Sequence, residues 1–460
     1  MEKKSRKQVC AMKMKNQNMI TGPLLPNIIL YTVPIILTSV LQLLFNAADL
    51  IVVGRFCGSV SVAAVGSTTS ITNLLVNFFV GLSVGAGVTV AHGIGSQRHS
   101  VVHNTVHTAL PVALISGAVL TVVGVLLSET FLRLMGTPEN VLQLAALYMK
   151  IYFGGITFTM IYNFCAAILR AAGDTRSPLL FLSFSGVVNV LLNLLFVIKL
   201  HMNVAGVALA TTISQGISAV LVVIALMRRT DACRLRLKEM RFHKVQLSKM
   251  LRIGLPAGAQ SAMFSISNVL IQSSINSFGD ILMSGNAAAG NIEGFVYASI
   301  NAFHQTSVNF IGQNAGAGQY DRVKKTLFCC LGCAAVTGLT LGGLAFLFGV
   351  PLLSLYITDS AEAIGYGMLR LSIVSATYLI CGLMDVTTGA LRGLGESFVP
   401  MLISVLGVCG IRIGWIYTVF QIPAFHTPES LYISYPVSWM MTFAFQIAAF
   451  FLVYRKQKQR

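Results

Sequence analysis

The sequence is poor in charged residues. Only 10% of its 460 residues are Asp, Glu, Lys or Arg, whereas soluble domains carry about a quarter. Hydrophobic residues make up 55% of the chain, and the mean hydropathy is +0.76. Apolar runs of about 20 residues recur along the whole length, each long enough to cross about 30 Å of hydrocarbon. They are too long and too uniformly apolar for barrel strands. The composition therefore excludes a soluble globular protein and indicates an all-α integral membrane protein.

The sequence also lacks the motifs of an ATP-driven pump or an enzyme. No Gly-rich segment carries the Walker lysine, which disfavours ATP-driven transport within this chain. No catalytic-triad spacing stands out, so we expect neither an enzyme nor a cofactor. His99, His103 and His107 are spaced four residues apart on one helical face, where a metal site and a polar face against lipid headgroups are the alternatives. No cleavable signal peptide is expected, because the first fifteen residues are basic and polar.

The apolar runs predict twelve membrane-spanning helices. They cover residues 24–53, 60–91, 105–128, 139–168, 177–200, 203–227, 249–279, 283–312, 325–349, 361–391, 397–420 and 432–454. Alternate connections are rich in Lys and Arg, including Arg98, Arg170, Arg176, Arg228, Arg229, Arg322, Lys324 and Lys325. The other connections hold only Arg55, Arg133 and Lys199. The basic side is therefore predicted to be cytoplasmic, with both termini inside a bacterial cytoplasmic membrane.

The net charge of +17 allows two interpretations, nucleic-acid binding or membrane topology. The basic residues follow the topology, which favours contact with anionic lipids and makes a nucleic-acid partner unexpected. The expected partners are therefore membrane lipids and small organic molecules. We expect the protein to function as a monomer.

A ten-residue phrase occurs twice. It begins at Leu169-Arg170 and returns at Leu391-Arg392, so that residues 169 and 391 define an offset of 222 residues. Pro34 matches Pro256 at the same offset, as Asn46 matches Asn268. Six helices in each copy return the chain to the same side, so the copies are predicted to be parallel, related by an axis along the membrane normal. The predicted organisation is a basic N-terminal segment at 1–23, two six-helix lobes at 24–227 and 249–454 around a central cavity, a basic linker at 228–248 and a tail at 455–460.

Several separated motifs carry a family resemblance. The segment from Asn46 to Gly54 resembles the first-helix signature of the MATE (multidrug and toxic compound extrusion) transporters. The segment from Gln313 to Gly318 and the two Leu-Arg-x-x-Gly turns resemble the same family, and Tyr435 to Trp439 resembles a bacterial branch of it. The resemblance implies two six-helix lobes around a cavity. It also implies export of organic, often cationic, compounds in exchange for Na⁺ or H⁺.

One carboxylate stands out inside the first lobe. Asp49 shares a helix face with Gln42 and Asn46, and Asn189 and Asn193 share a face of the fifth helix. With Thr211, Asp49 and the two asparagines lie about 8–16 Å below the outer boundary at a rise of about 1.5 Å per residue. Oxygen ligands at one depth suit a hard cation, and a lone carboxylate can instead bind a proton. The alternative for the Asn and Thr residues is interhelical hydrogen bonding.

The family pattern sharpens this prediction. The resemblance implies an Asn-x-x-x-Asp pair in the fifth helix and a threonine in the sixth that contribute to the cation site. Asn193 stands here where the family has the aspartate, which removes one negative charge. The sequence therefore leaves Na⁺ and H⁺ open, and Asp49 is predicted to be the coupling residue with either ion.

The second lobe carries a different set of charges. Ile271 falls where Asp49 would be, beside an uncharged stripe of Asn268, Gln272 and Asn276. Glu293, Arg370 and Arg412 lie at similar predicted depth, either as a structural ion-pair cluster or as a substrate or proton site. Asp385 stands apart opposite Asn163, and either contacts cationic substrates or pairs with a loop arginine. The candidate substrate-cavity residues are Gln42, Asn46, Asn163, Asn268, Gln272, Glu293 and Asp385.

Three functions compete at this point. The first is an ion-coupled multidrug exporter working by alternating access. The second is a flippase or exporter of lipid-linked or other amphiphilic metabolites, which needs a cationic cavity for phosphates. The acidic Asp49 favours the first, whereas Arg370 and Arg412 leave room for an anionic substrate. The third, a channel, fits poorly with a two-lobed repeat.

Overall fold

The computed structural model describes residues 19–358 and 360–459, which are nearly all helical and contain no strand. The predicted basic segment up to residue 18 and the final residue of the predicted tail lie outside the described residues. The long helical segments are α1 Leu24–Phe56, α2 Ser59–Gly95, α3 His99–Leu134, α4 Glu139–Gly154 with Ile156–Ala171, α5 Arg176–Lys199, α6 Asn203–Met227, α7 Lys244–Asn276, α8 Asp280–Gly316, α9 Tyr320–Leu347, α10 Ala361–Gly393, α11 Phe398–Gln421 and α12 Pro428–Lys458.

These twelve segments in the described residues lie at the predicted positions. Nine are long and apolar enough to cross a membrane, and the bent pair of α4 raises that number to ten. The remaining two, α7 and α8, have 33 and 37 residues but are more polar. Their polar side chains line cavities (described below) and do not all face lipid, so both helices tolerate more polar residues than their neighbours.

Several helices contain bends or irregular turns that the sequence did not predict. The fourth span bends by 46° at Gly155, and the tenth is interrupted by a 3₁₀ turn at Ser375–Thr377. The two breaks correspond, because position 155 maps to position 377 at the repeat offset of 222. Widened π-helical turns occur at Leu195–Lys199 in α5 and at Val405–Gly410 in α11. Each widened turn changes which face the following residues occupy.

The repeat is visible in the backbone. Gly173 and Gly395 end the two Leu-Arg-x-x-Gly phrases with φ of +88° and +86°, a left-handed conformation that glycine adopts without steric cost. Gln97 and Gly318 follow α2 and α8 with φ of +55° and +71°, and the two positions lie one residue short of the repeat offset of 222. The same turns therefore close the same helices in both halves.

The two halves pack tightly where α2 ends and α7 begins, which we call the basic end. From this end towards the middle of both helices, α2 packs along α7 with glycine facing glycine. A Cβ on Gly81 would lie 2.3 Å from the backbone nitrogen of Gly258, and one on Gly95 would lie 2.0 Å from the carbonyl oxygen of Gln313. Any larger side chain at these two positions would force the two halves apart.

A matched pair of hydrogen bonds also joins the halves at the basic end. Gln313 donates from Nε2 to the carbonyl of Ala171 over 2.7 Å, and His92 Nε2 bonds to the carbonyl of Gly393 over 2.6 Å. The two carbonyls are equivalent, since 171 and 393 differ by 222. We call these bonds the paired latches. They connect α8 to α4 and α2 to α10, so the repeat uses one contact twice.

Candidate functional site

Four side chains of the N-terminal half form a closed hydrogen-bonded ring, the polar ring. Asn193 donates from Nδ2 to Asp49 Oδ1 over 2.5 Å and to Asn189 Oδ1 over 3.2 Å. Asn189 donates to Thr211 Oγ1 over 3.3 Å, and Thr211 donates to Asp49 Oδ2 over 3.3 Å. The structure thus brings together all four residues predicted for the coupling site, from α1, α5 and α6.

The Asp49 carboxylate has only neutral partners. Both oxygens accept hydrogen bonds, and within the described residues Asp49 takes part in no ion pair. The Asn193 Oδ1 atom is buried without a hydrogen-bond partner. A buried polar atom without a partner costs about 1–3 kcal/mol. The ring therefore offers an uncompensated negative charge and a spare oxygen, a set of groups that suits a small hard cation or a proton.

The charged residues of the C-terminal half are arranged differently. Arg370 binds Glu293 through two hydrogen bonds, Nε to Oε1 over 3.0 Å and Nη2 to Oε2 over 2.7 Å. A third hydrogen bond runs from Arg370 Nη1 to Asn286 Oδ1 over 2.5 Å. Glu293 is buried, with 2% of its surface exposed. This bidentate geometry is the strong form of an arginine–carboxylate pair, so the charge of Glu293 is already neutralised by the protein.

Arg412 does not complete a three-residue ion-pair cluster with Glu293 and Arg370. Its Nε donates to Ser438 Oγ over 3.0 Å, and its guanidinium carbon lies 4.0 Å from the ring centre of Tyr435 and 5.5 Å from that of Trp439. Its Nη2 is buried without a partner. The π-helical turn at Val405–Gly410 precedes Arg412, so depth alone could not predict the direction of its side chain.

Asp385 is buried, with 7% exposed, and among the described residues it makes no ion pair with a loop arginine. Its Oδ2 has no hydrogen-bond partner. Its backbone carbonyl bonds to His304 Nδ1 over 2.7 Å. Tyr297 donates a hydrogen bond to the Asp385 side chain, and Arg392 interacts with it electrostatically. The substrate role of Asp385 remains a prediction.

The C-terminal half encloses a cavity of about 440 Å³, the C-terminal cavity. Four predicted substrate-cavity residues line it, namely Asn268, Gln272, Glu293 and Asp385. Arg370, Arg412, Tyr435 and Trp439 line it as well. It presents carboxylates, guanidiniums and aromatic faces together, so it could contact either an organic cation or an anion.

A second cavity, of about 270 Å³, lies between the halves and is called the central cavity. Gln42 and Asn163 line it as predicted, whereas Asn46 lines neither cavity. Its ionisable lining residues are Arg170, His304 and Arg392. Arg170, expected in a basic connection, lies inside α4. Arg170 and Arg392 line the same cavity. The arginine at the second position of both copies of the repeated phrase is the sequence signal that could have predicted this.

The histidine face predicted on α3 contacts the basic linker. His103 and His107 lie beside Glu239, whereas His99 does not join them. The His107 Nε2 already accepts the backbone N–H of Arg236 over 3.0 Å. Hydrogen bonds from Arg236 and His103 hold the pKa of Glu239 below its ordinary value. Protein groups therefore already use the lone pair and the charge that a metal would need.

A helical bundle made of two similar halves, with polar cavities between and within them, is the architecture of a secondary transporter. The MatE family profile matches the chain twice, over residues 34–195 and 256–418. The chain therefore belongs to the MATE family of membrane transporters, which act in multidrug efflux.

Individual relatives agree with this assignment. The probable multidrug resistance protein YpnP of Bacillus subtilis (strain 168) is 28% identical over 407 residues, which cover 87% of this chain and 89% of the relative. The probable multidrug resistance protein YoeA of the same strain is 26% identical over 391 residues, which cover 84% of each chain. An outward-facing MATE multidrug resistance transporter structure matches with a TM-score of 0.89 at 21% identity, covering 97% and 99% of the two chains. The twelve-helix fold predicted from the sequence is confirmed.

Proposed function

We propose that this protein is a secondary exporter that exchanges organic compounds for Na⁺ or H⁺ across a bacterial cytoplasmic membrane. The observation that supports this proposal most directly concerns the Asp49 carboxylate. It bonds only to Asn193 and Thr211 and has no basic partner among the described residues. A charged side chain at the bilayer centre costs at least about 2.5–3.5 kcal/mol, so an ion that neutralises it stabilises this arrangement of helices. Asp49, Asn189, Asn193 and Thr211 are the proposed coupling site.

The geometry of the two halves supports an alternating-access mechanism. In the described residues, the side-chain hydrogen bonds between α1–α6 and α7–α12 lie near the basic end, including the paired latches and a 2.8 Å bond between Thr32 and Thr306. With the basic end cytoplasmic, this state is closed to the cytoplasm. Residues 24–227 and 249–454 act as the moving lobes, with 228–248 as their linker. Cation binding to the ring changes the relative stability of the open and closed states.

The test is transport in everted vesicles with Na⁺ and pH gradients imposed separately. Rhodamine 123, a cation, and fluorescein, an anion, serve as probes. We expect one gradient to drive uptake of at least one probe. Asp49→Asn should reduce that uptake to the level of vesicles without the protein. Asp280→Asn is the matched control, because this carboxylate is exposed at the start of α8. Equal uptake without either gradient, or wild-type uptake by Asp49→Asn, would contradict the proposal.

A second candidate is a flippase or exporter of amphiphilic metabolites such as lipid-linked compounds. The observation that favours it is the central cavity, whose ionisable lining residues carry no negative charge. The C-terminal cavity is lined by Asp385 and Glu293 as well as by Arg370 and Arg412, so it offers contacts to organic cations too. Transport of a short-chain fluorescent phosphatidylglycerol, but not of rhodamine 123, would favour the second candidate.

A further inference from the structure

The central cavity joins two arginines that the repeat makes equivalent. Arg170 and Arg392 occupy the second position of the repeated phrase, 222 residues apart, and both line this one cavity between the halves. Neither takes part in an ion pair in the part of the chain that the structure describes. Two guanidiniums on one cavity therefore lack the carboxylates that normally accompany buried arginines.

The hydrogen bonds of Arg392 do not account for its charge. It donates from Nη2 to Gln260 Oε1 over 2.9 Å and contacts His304 Nε2 over 3.4 Å, while its Nε is buried without a partner. It is 7% exposed. Both partners are neutral acceptors, since His304 Nδ1 faces the Asp385 carbonyl at 2.7 Å and therefore carries the ring proton. A neutral amide could donate such bonds equally well. Asp385 interacts electrostatically with Arg392 but forms no direct ion pair with it among the described residues, so the guanidinium keeps donors for a further anion.

Arg170 is similarly placed from the other half. It donates from Nη1 to Gln305 Oε1 over 2.5 Å, and Gln305 donates onward to Asn301 Oδ1 over 3.1 Å. The acid four residues further on, Asp174, instead accepts from the backbone N–H of Ser177 over 3.0 Å and from its hydroxyl over 2.6 Å. Most of the Arg170 donors are left for a ligand.

The acids near these arginines lie outside the central cavity. Asp385 precedes Arg392 by two helical turns on α10 but lines the C-terminal cavity. Glu396 lies past the end of α10 and lines separate pockets at the basic end. Other lining groups of the central cavity, such as Gln42 and Asn163, are neutral. A ligand entering this space therefore meets positive charge and amide groups.

We infer that Arg170 and Arg392 form a binding site for the anionic group, carboxylate or phosphate, of a transported organic molecule. Guanidiniums bind both groups through paired N–H donors. The volume of about 270 Å³ is at the small end for ligand pockets, which suits the anionic group with one or two attached rings. This inference rests on the proposed export function for the use of the cavity and names its substrate class.

The test is equilibrium binding without any ion gradient, so that failure of coupling at Asp49 does not affect it. The full chain is placed in phosphatidylcholine nanodiscs and titrated with dansylglycine, an anion, and dansyl ethylenediamine, a cation with the same fluorophore. We expect dansylglycine to bind more tightly. Loss of the charge in Arg170→Gln or Arg392→Gln should raise its Kd by about tenfold or more, and Arg392→Lys by less, because lysine keeps the charge but loses the fork.

Two controls locate the site. Arg176→Gln removes an exposed arginine six residues from Arg170 and should leave binding unchanged. Arg412→Gln removes the guanidinium of the C-terminal cavity whose Nη2 has no hydrogen-bond partner among the described residues, and should also leave dansylglycine binding unchanged. If Arg392→Gln does not fold, Arg170→Gln carries the test, because Arg170 is only part-buried. Tighter binding of the cation, no effect of Arg170→Gln, or a loss that follows Arg412 would each overturn the inference.

Competition identifies the source of the anion. Displacement of dansylglycine by inorganic phosphate supports a free anionic substrate, and displacement by dihexanoylphosphatidylglycerol but not by phosphate supports a lipid headgroup. Both results support an anion site at the two arginines. If neither compound displaces dansylglycine but dansyl ethylenediamine does, the result would contradict such a site.

Discussion

The two halves share one fold and treat a buried carboxylate in opposite ways. In the N-terminal half, Asp49 bonds to amide and hydroxyl groups. In the C-terminal half, Glu293 is held by both arms of Arg370. At the position that corresponds to Asp49, the second half has Ile271, which is buried in its hydrophobic core. An acid with a built-in base needs no ion from outside, whereas an acid among neutral groups does.

This difference gives the two halves different roles in transport. The polar ring in α1, α5 and α6 is the part whose charge changes when a cation binds or leaves. The charges of Glu293 and Arg370 cancel each other whether or not a cation is bound, and the pair holds α8 to α10. The first half is therefore suited to sense the ion gradient, while the second supplies a stable frame and a cavity.

The largest expected effect is on stability. Breaking a buried ion pair by removing one partner costs about 3–5 kcal/mol, because the other charge is left unpaired. Glu293→Gln should therefore lower the thermal unfolding midpoint markedly. Asp49→Asn should leave it unchanged or raise it, because no basic side chain of the described residues pairs with this acid. Thermal unfolding of purified protein measures both.

The double variant Glu293→Gln with Arg370→Met is the control, since it removes both charges and should recover most of the lost stability. If Glu293→Gln unfolds at the wild-type temperature but loses transport, the pair is functional and the contrast between the halves fails.

The sequence predicted the polar ring for a clear physical reason. Residues four apart on a helix share a face, and the rise per residue fixes depth, so Asp49, Asn193 and Thr211 could be placed together. The same reasoning failed for Arg412, because the π-helical turn before it changes the direction of the side chain. It also failed for Arg170, which a topological count assigned to a loop although α4 extends to Ala171.

The second prediction makes the N-terminal half more acidic. Asn193→Asp would place a second carboxylate where Nδ2 now lies 2.5 Å from Asp49 Oδ1. Two carboxylates at that distance cannot both stay ionised, so they share one proton and the pKa of one of them rises. We expect the pH at half-maximal transport to move up by about one unit or more. Transport measured over a range of pH, with Asn268→Asp in the C-terminal half as the control, tests this. An unchanged pH profile would remove Asn193 from the coupling site.

The smallest expected effect concerns the feature that both halves share, the paired latches. Gln313→Ala removes the hydrogen bond to the Ala171 carbonyl, and His92→Ala removes its counterpart at Gly393. A typical net hydrogen bond contributes about 0.5–1.5 kcal/mol, so each change should shift the equilibrium toward opening of the basic end by roughly two- to tenfold. Hydrogen–deuterium exchange of the peptides around 171–174 and 393–396 measures this. Gln305→Ala is the comparison variant, because Gln305 also lies on α8 and accepts the hydrogen bond of Arg170.

If the two latches are equivalent, both peptides should exchange faster in both latch variants, because the halves separate as units. Faster exchange confined to the peptide that lost its bond would instead show local fraying, and the basic end would then not open as a single gate.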